Sequence, residues 1–148
     1  MEPALVPDAP SERNWYPVWA QLALTDAIIA ECFESDPERA VPALLADARE
    51  GTGAIARGLL RALGPARVLS RAGELHPHAY DVGRVSAQVS GDQASLHYEG
   101  AALFAEPTWQ LLCATATRGL VELSGRSLVA MAQETPSAES FVLRVSWR

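Results

Sequence analysis

At 148 residues, 49% hydrophobic and 20% charged, the chain has the make-up of one globular domain and not of a disordered segment. Its formal charge of −6, with every basic residue an arginine and those arginines scattered, excludes the clustered basic face that nucleic acid or an anionic membrane surface requires. No apolar run is long enough for a membrane span, and the two cysteines, Cys32 and Cys113, lie far apart inside apolar helical patterns, so a reduced, cytoplasmic protein is expected.

Residues 1–13 carry three prolines among acidic and small side chains and are expected to form an extended arm. Residues 14–148 are expected to form a single α+β domain, with a helical layer over about 16–72 and a β-β-α-β-β unit over about 82–148. Pro17 suits the first turn of a helix, and the run from Val18 to Phe33 is apolar nearly all round. Such a helix has to be covered on more than one side, by its own domain or by a second copy, and a homodimer through this helix is one reading. Asp36 is placed to cap a second helix that starts at Pro37, with Pro42 expected to kink or restart it and Gly51-Thr52-Gly53 to interrupt it. The glycine pair follows a helix instead of a strand, so it is not read as a dinucleotide-binding loop. A third helix runs from Ala54 to Leu63 and closes at Gly64, and Pro65 opens a short further one to about Ala72.

The segment Gly73 to Gly83 is irregular and polar-aromatic and reads as a loop feeding a sheet. The period then changes to two. Val85, Ala87 and Val89, then Ala94, Leu96 and Tyr98, alternate with polar residues on either side of Gly91-Asp92, which predicts a hairpin with one buried face. A central helix is expected from about Pro107 to Leu123, with Trp109, Leu112, Cys113, Ala116 and Leu120 on its apolar face and Arg118 and Glu122 on its wet side. Ser127 to Gln133 and Phe141 to Trp147 predict two more strands, joined by a polar loop from Glu134 to Ser140 that carries Pro136. The fold class is therefore α+β, a helical N-terminal half packed on a four-stranded antiparallel sheet.

Tyr16-Pro17, the stretch from Pro77-His78-Ala79-Tyr80 to Gly83, Tyr98-Glu99-Gly100, Gly119 and the closing Val145-Ser146-Trp147 resemble the bacterial DUF2378 family. That family is similar in layout to vinyl-reductase-type, haem-NO-binding and TRAPP-type ligand-binding domains, and the resemblance covers roughly Tyr16 to Arg148. It implies a small-molecule or lipid-like ligand site, pairing and a regulatory role, often with a protein partner. Haem-NO-binding relatives hold haem with a histidine on a helix and a tyrosine-serine-arginine triplet, but this chain has no such triplet, and His76, His78 and His97 fall on the loop or the hairpin. No cofactor is therefore predicted and haem is not expected; a hydrophobic small molecule or an acyl chain is the cargo considered. Some TRAPP-type relatives carry an acyl chain on a cysteine, and Cys113 is the helical cysteine near the sheet, without a motif that transfers the role.

No convergent catalytic set stands out. His76, His78 and Asp81 make a thin metal set, and Ser86, Ser95 and His97 with Asp81 lack the strand-turn-helix context of a nucleophile, so the expectation is a non-enzymatic sensor with no metal. An interaction domain with a filled core is the alternative, and a small enzyme using His78, Tyr80 and Asp81 is a third reading. If there is a ligand site, its expected residues are Trp19, Phe33, His78, Tyr80, Trp109 and Cys113.

Overall fold

The computed structural model describes residues Pro17 to Arg148, so the arm expected over residues 1–13 lies outside the described residues. The described residues divide into two compact units, the first ending at Ala40 and the second spanning Val41–Arg148.

In the first unit, α1 (Val18–Cys32) follows Pro17 as the sequence predicts. Of its many apolar residues only Ile29 is buried, while Trp19, Leu24 and Ile28 stand exposed. The chain leaves α1 through Glu34 and Ser35, both at positive φ, and the backbone amides of Phe33 and Ser35 both donate to the Ile29 carbonyl. Asp36 then accepts from the Glu38 amide at 3.0 Å and starts α2 (Pro37–Gly51), as expected of an aspartate before a proline at the first helical position. Glu34 and Arg39 form an ion pair beside this turn.

In the second unit, α2 is not restarted at Pro42 but runs on through it as one helix. Both Pro42 and Glu38, the residue whose carbonyl loses its donor, are exposed, so water can replace the missing bond. The Gly51–Gly53 interruption is where it was expected, and α3 (Ala54–Leu69) is broken at Gly64, whose φ of 73° and ψ of 164° separate two helical pieces. The segment from Gly73 to Gly83 is more ordered than its sequence suggests. It holds the end of α4 (Ala72–Leu75) and a 3-10 turn over His76–His78, each too short to leave a periodic signal.

The four strands, β1 (Arg84–Ser90), β2 (Gln93–Glu99), β3 (Leu128–Ser137) and β4 (Ser140–Trp147), form an antiparallel sheet in the order β1-β2-β4-β3. The two-residue Gly91-Asp92 turn sets the first register, pairing Val85 with Tyr98 and Val89 with Ala94. The expected loop from Glu134 to Ser140 is mostly strand, since β3 runs on to Ser137 and the turn is short. Pro136 is tolerated because β3 is an edge strand and the register shifts between Glu134 and Ser137, where no ladder bond from its nitrogen is needed.

Between the hairpins, α5 (Pro107–Leu123) has the expected ends, with Gly125 at a φ of 82° just beyond. Its buried side differs from the expected stripe: Trp109, Ala114, Thr115, Thr117, Gly119 and Val121 are buried, and Ala116 is exposed. Small residues are buried here because neighbouring helices approach the backbone, and a Cβ on Gly119 would stand 3.7 Å from Leu45 Cδ2 and 3.8 Å from Ala48 Cβ. Glu122 pairs with Arg118 as predicted and also with Arg49 of α2, which ties two helices together. The core lies between α5 and the sheet, where Leu96, Phe104, Val121, Phe141 and Leu143 are fully buried. Each such side chain contributes about 1.5–3 kcal/mol of transfer free energy.

Candidate functional site

Strand alternation delivers Tyr98 of β2 and Phe141 of β4 to the same inner face as cross-strand partners. Trp109, in the first turn of α5, comes down onto both, with ring centroids 5.1 Å from Tyr98 and 5.9 Å from Phe141 in edge-on geometry. Phe104, from the 3-10 turn Ala102–Ala105, closes a third side at 5.0 Å from Trp109 and 5.6 Å from Tyr98. The last side is filled by His76, stacked on Tyr80 at 5.4 Å and lying 5.8 Å from Phe104. Gly83 makes this possible: its φ is 67°, and a Cβ there would stand 2.3 Å from the Phe104 ring.

Polar atoms inside the cluster are partnered. The Cys113 thiol donates to the Tyr98 hydroxyl at 3.1 Å, the Trp109 indole bonds the Tyr80 hydroxyl, and His76 Nε2–H donates to the Val82 carbonyl at 2.8 Å. Burial pushes the Cys113 thiol up to about 11, working against the Tyr98 bond, which lowers it. Desolvation likewise raises the phenols of Tyr98 and Tyr80 above their ordinary value, with the nearby Cys113 adding to each shift. At neutral pH the Cys113 thiol and the Tyr98 and Tyr80 phenols are therefore protonated and uncharged. A thiol held protonated is a poor nucleophile and a phenol this high is a poor base.

Of the residues expected at a site, Tyr80, Trp109 and Cys113 meet around Tyr98. His78 is exposed on its 3-10 turn and makes none of these contacts. Trp19 and Phe33 belong to the first unit, where Trp19 is 53% exposed and Phe33 is half-buried at the end of α1. Sequence reasoning missed His76, Tyr98 and Phe104. Tyr98 was legible as an inward strand position, whereas the burial of His76 depends on a turn with no periodic signature.

No family model matches the chain, and no curated protein matches it. Solved structures share its fold, H-NOX proteins among them. An H-NOX protein from K. algicida, solved as an Fe(II) unliganded alanine-to-glycine mutant, superposes with a TM-score of 0.66 and 10% identity over 95% of this chain and 78% of that one. An H-NOX protein from S. oneidensis in the Fe(II)NO ligation state does so with a TM-score of 0.60 and 10% identity, over 98% of this chain and 86% of that one. The haem-NO-binding layout inferred from the order of motifs is therefore the fold of this chain, while the DUF2378 and vinyl-reductase parts of that resemblance find no counterpart.

The likeness also corrects the expectation on cofactors. Setting haem aside rested on a missing triplet and on histidines placed on the loop or the hairpin; the two H-NOX structures are in Fe(II) states, and His76 is buried in a 3-10 turn. A haem iron takes an imidazole nitrogen that keeps a lone pair. His76 Nε2–H donates to Val82, which leaves only Nδ1 to offer a lone pair, and the ring is stacked on Tyr80 and packed against Phe104. No step below is routed through that group.

Proposed function

We propose that this chain is a small-molecule sensor domain that catalyses no reaction. The observation that carries the reading is its likeness in fold, over nearly its whole length, to two H-NOX proteins solved in different Fe(II) ligation states. The cluster around Tyr98 supports the non-catalytic part, because its thiol and phenols are held protonated by burial. In this reading Tyr80, Trp109 and Cys113 are the residues that register occupancy, through contacts that a shift of α5 or of the His76 turn would break. Pairing of two copies through α1, where Trp19, Leu24 and Ile28 are exposed, is the finer part, with a regulatory protein as the receiver.

The test is native mass spectrometry of the chain from cells supplied with a haem precursor, compared with the denatured chain, alongside visible spectra with and without NO. A small molecule retained at one per chain and lost on denaturation, or an absorbance band that NO moves, is the expected outcome. A bare, colourless chain that stays bare after incubation with haemin and with cell extract overturns the reading. Sedimentation of wild type against Ile28→Glu tests the pairing, and a monomer at every concentration ends that part alone.

A further inference from the structure

The face of the sheet turned away from the aromatic cluster carries small and polar residues in register. Gln88, Ser95 and Arg144 form one cross-strand row, and Ser90, Gln93 and Ser146 form the next. On β3 these rows end in Ala132 and Ala130. Because so many of these side chains stop at Cβ or Oγ, the rows enclose a shallow concavity of about 420 Å³. That is within the roughly 300–1,000 Å³ of small-ligand sites.

Val89, Ala94, Ala130, Met131, Ala132 and Val145 supply the apolar half of its lining, and the charge in the other half is one-sided. In a chain of net charge −6, the only ionisable residue lining this concavity is Arg144, and the other polar groups are hydroxyls and side-chain amides. Arg144 is held by Glu134 of β3 in a contact through Nη1. A guanidinium has five N–H donors, so one carboxylate oxygen leaves others for a second acceptor. Arg144 and Glu134 are both about half exposed, at 49% and 56%, so their pairing is screened by water and salt and exchanges readily. Ser95 shares a further hydrogen bond of 3.0 Å with His97 Nε2, which steadies one hydroxyl at the rim.

We propose that this concavity binds a small oxyanion, a carboxylate or phosphate group, with Arg144 as anchor, Ser95, Ser146 and Gln88 as flanking hydrogen-bonding groups, and Glu134 as a built-in competitor for the anchor. The site lies on the opposite face from the aromatic cluster and does not depend on the sensor reading.

Its test is an NMR titration of the full chain with inorganic phosphate, with acetate, and with sodium chloride at matched ionic strength. Saturating shifts at the Arg144 side chain and the Ser95 and Ser146 amides are expected with one or both oxyanions. Phosphate alone, or acetate alone, assigns the group. R144Q weakens binding roughly tenfold or more, whereas E134Q tightens it a few-fold, a gain that loss of a merely structural ion pair does not produce. Ser95→Ala, which leaves both charges in place, weakens binding by a smaller factor and guards against a folding defect in R144Q. Equal shifts with chloride, shifts spread over all arginines, or unchanged affinity in both R144Q and E134Q overturn the proposal.

Discussion

The two faces of one sheet differ by a shift of one residue along each strand, and they behave as different materials. Ala94, Leu96 and Tyr98 of β2 are all buried, while Gln93, Ser95 and His97 between them are exposed or half-buried. On the inner face Tyr98, Phe104, Trp109 and Phe141 pack ring against ring, and no buried side-chain polar atom among the described residues lacks a partner, so a change there propagates. On the outer face serines and alanines stand among Gln88, Gln93 and Arg144, and these polar side chains are exposed or half-buried. Function that depends on a shape change belongs to the first face, and reversible binding of a polar ligand belongs to the second.

That contrast can be broken or sharpened by experiment. Trp109→Ala or Phe141→Ala is expected to cost about 3–5 kcal/mol in urea unfolding, since both are buried in the aromatic cluster. Gly83→Ala is expected to cost about 2–4 kcal/mol, because its backbone at φ 67° strains any L side chain and the Phe104 ring occupies the space of the new methyl. Tyr98→Phe removes the acceptor of the Cys113 thiol and is expected to cost about 1 kcal/mol. In the folded chain a thiol reagent at neutral pH is expected to modify exposed Cys32 quickly and Cys113 only at the rate of opening, given that thiol's value of about 11.

Glu122 gives a pH test outside both faces. Desolvation alone would raise its carboxyl, but hydrogen bonds and charge from Arg118 and Arg49 hold it below the ordinary glutamate value. A group depressed on folding stabilises above its unfolded pKa and loses that contribution as pH falls through its folded pKa. Stability of wild type relative to Glu122→Gln is therefore expected to shrink as pH falls below about 4.5, from a difference of roughly 1 kcal/mol or less at neutral pH. Gln88→Ala on the outer face is expected to change stability by no more than about 0.5 kcal/mol. A larger loss there would show that the outer face is part of the packed structure.

Much of this arrangement was legible in the residues. Asp36-Pro37, Pro107, Gly125 and the alternation of β2 and β4 each carry a local rule that tertiary packing did not override. The buried side of α5 was misjudged because hydrophobicity alone was counted, whereas Gly119 and Ala114 are buried for their smallness, where backbone meets helix and sheet. The site was half legible. Trp109 and Cys113 were found from helical spacing, but the residue between them in space, Tyr98, comes from another element, and nothing in a linear pattern places it there. The pairing of His97 with Ser95 was visible only as proximity, and the register that sets Arg144 opposite Ser95 was not.

The two margins of the sheet are also unequal. At β1, a methyl on Gly73 would stand 2.7 Å from the Val85 carbonyl, so α4 lies hard against that margin. At β3 the stretch from Leu128 to Gln133 carries no charge, and Val129 is exposed. If crowding ever joined two molecules along β3, each would present its covered margin outward, and the ribbon would stop growing after that single step. Unequal margins of this kind favour a closed pair over an open ribbon.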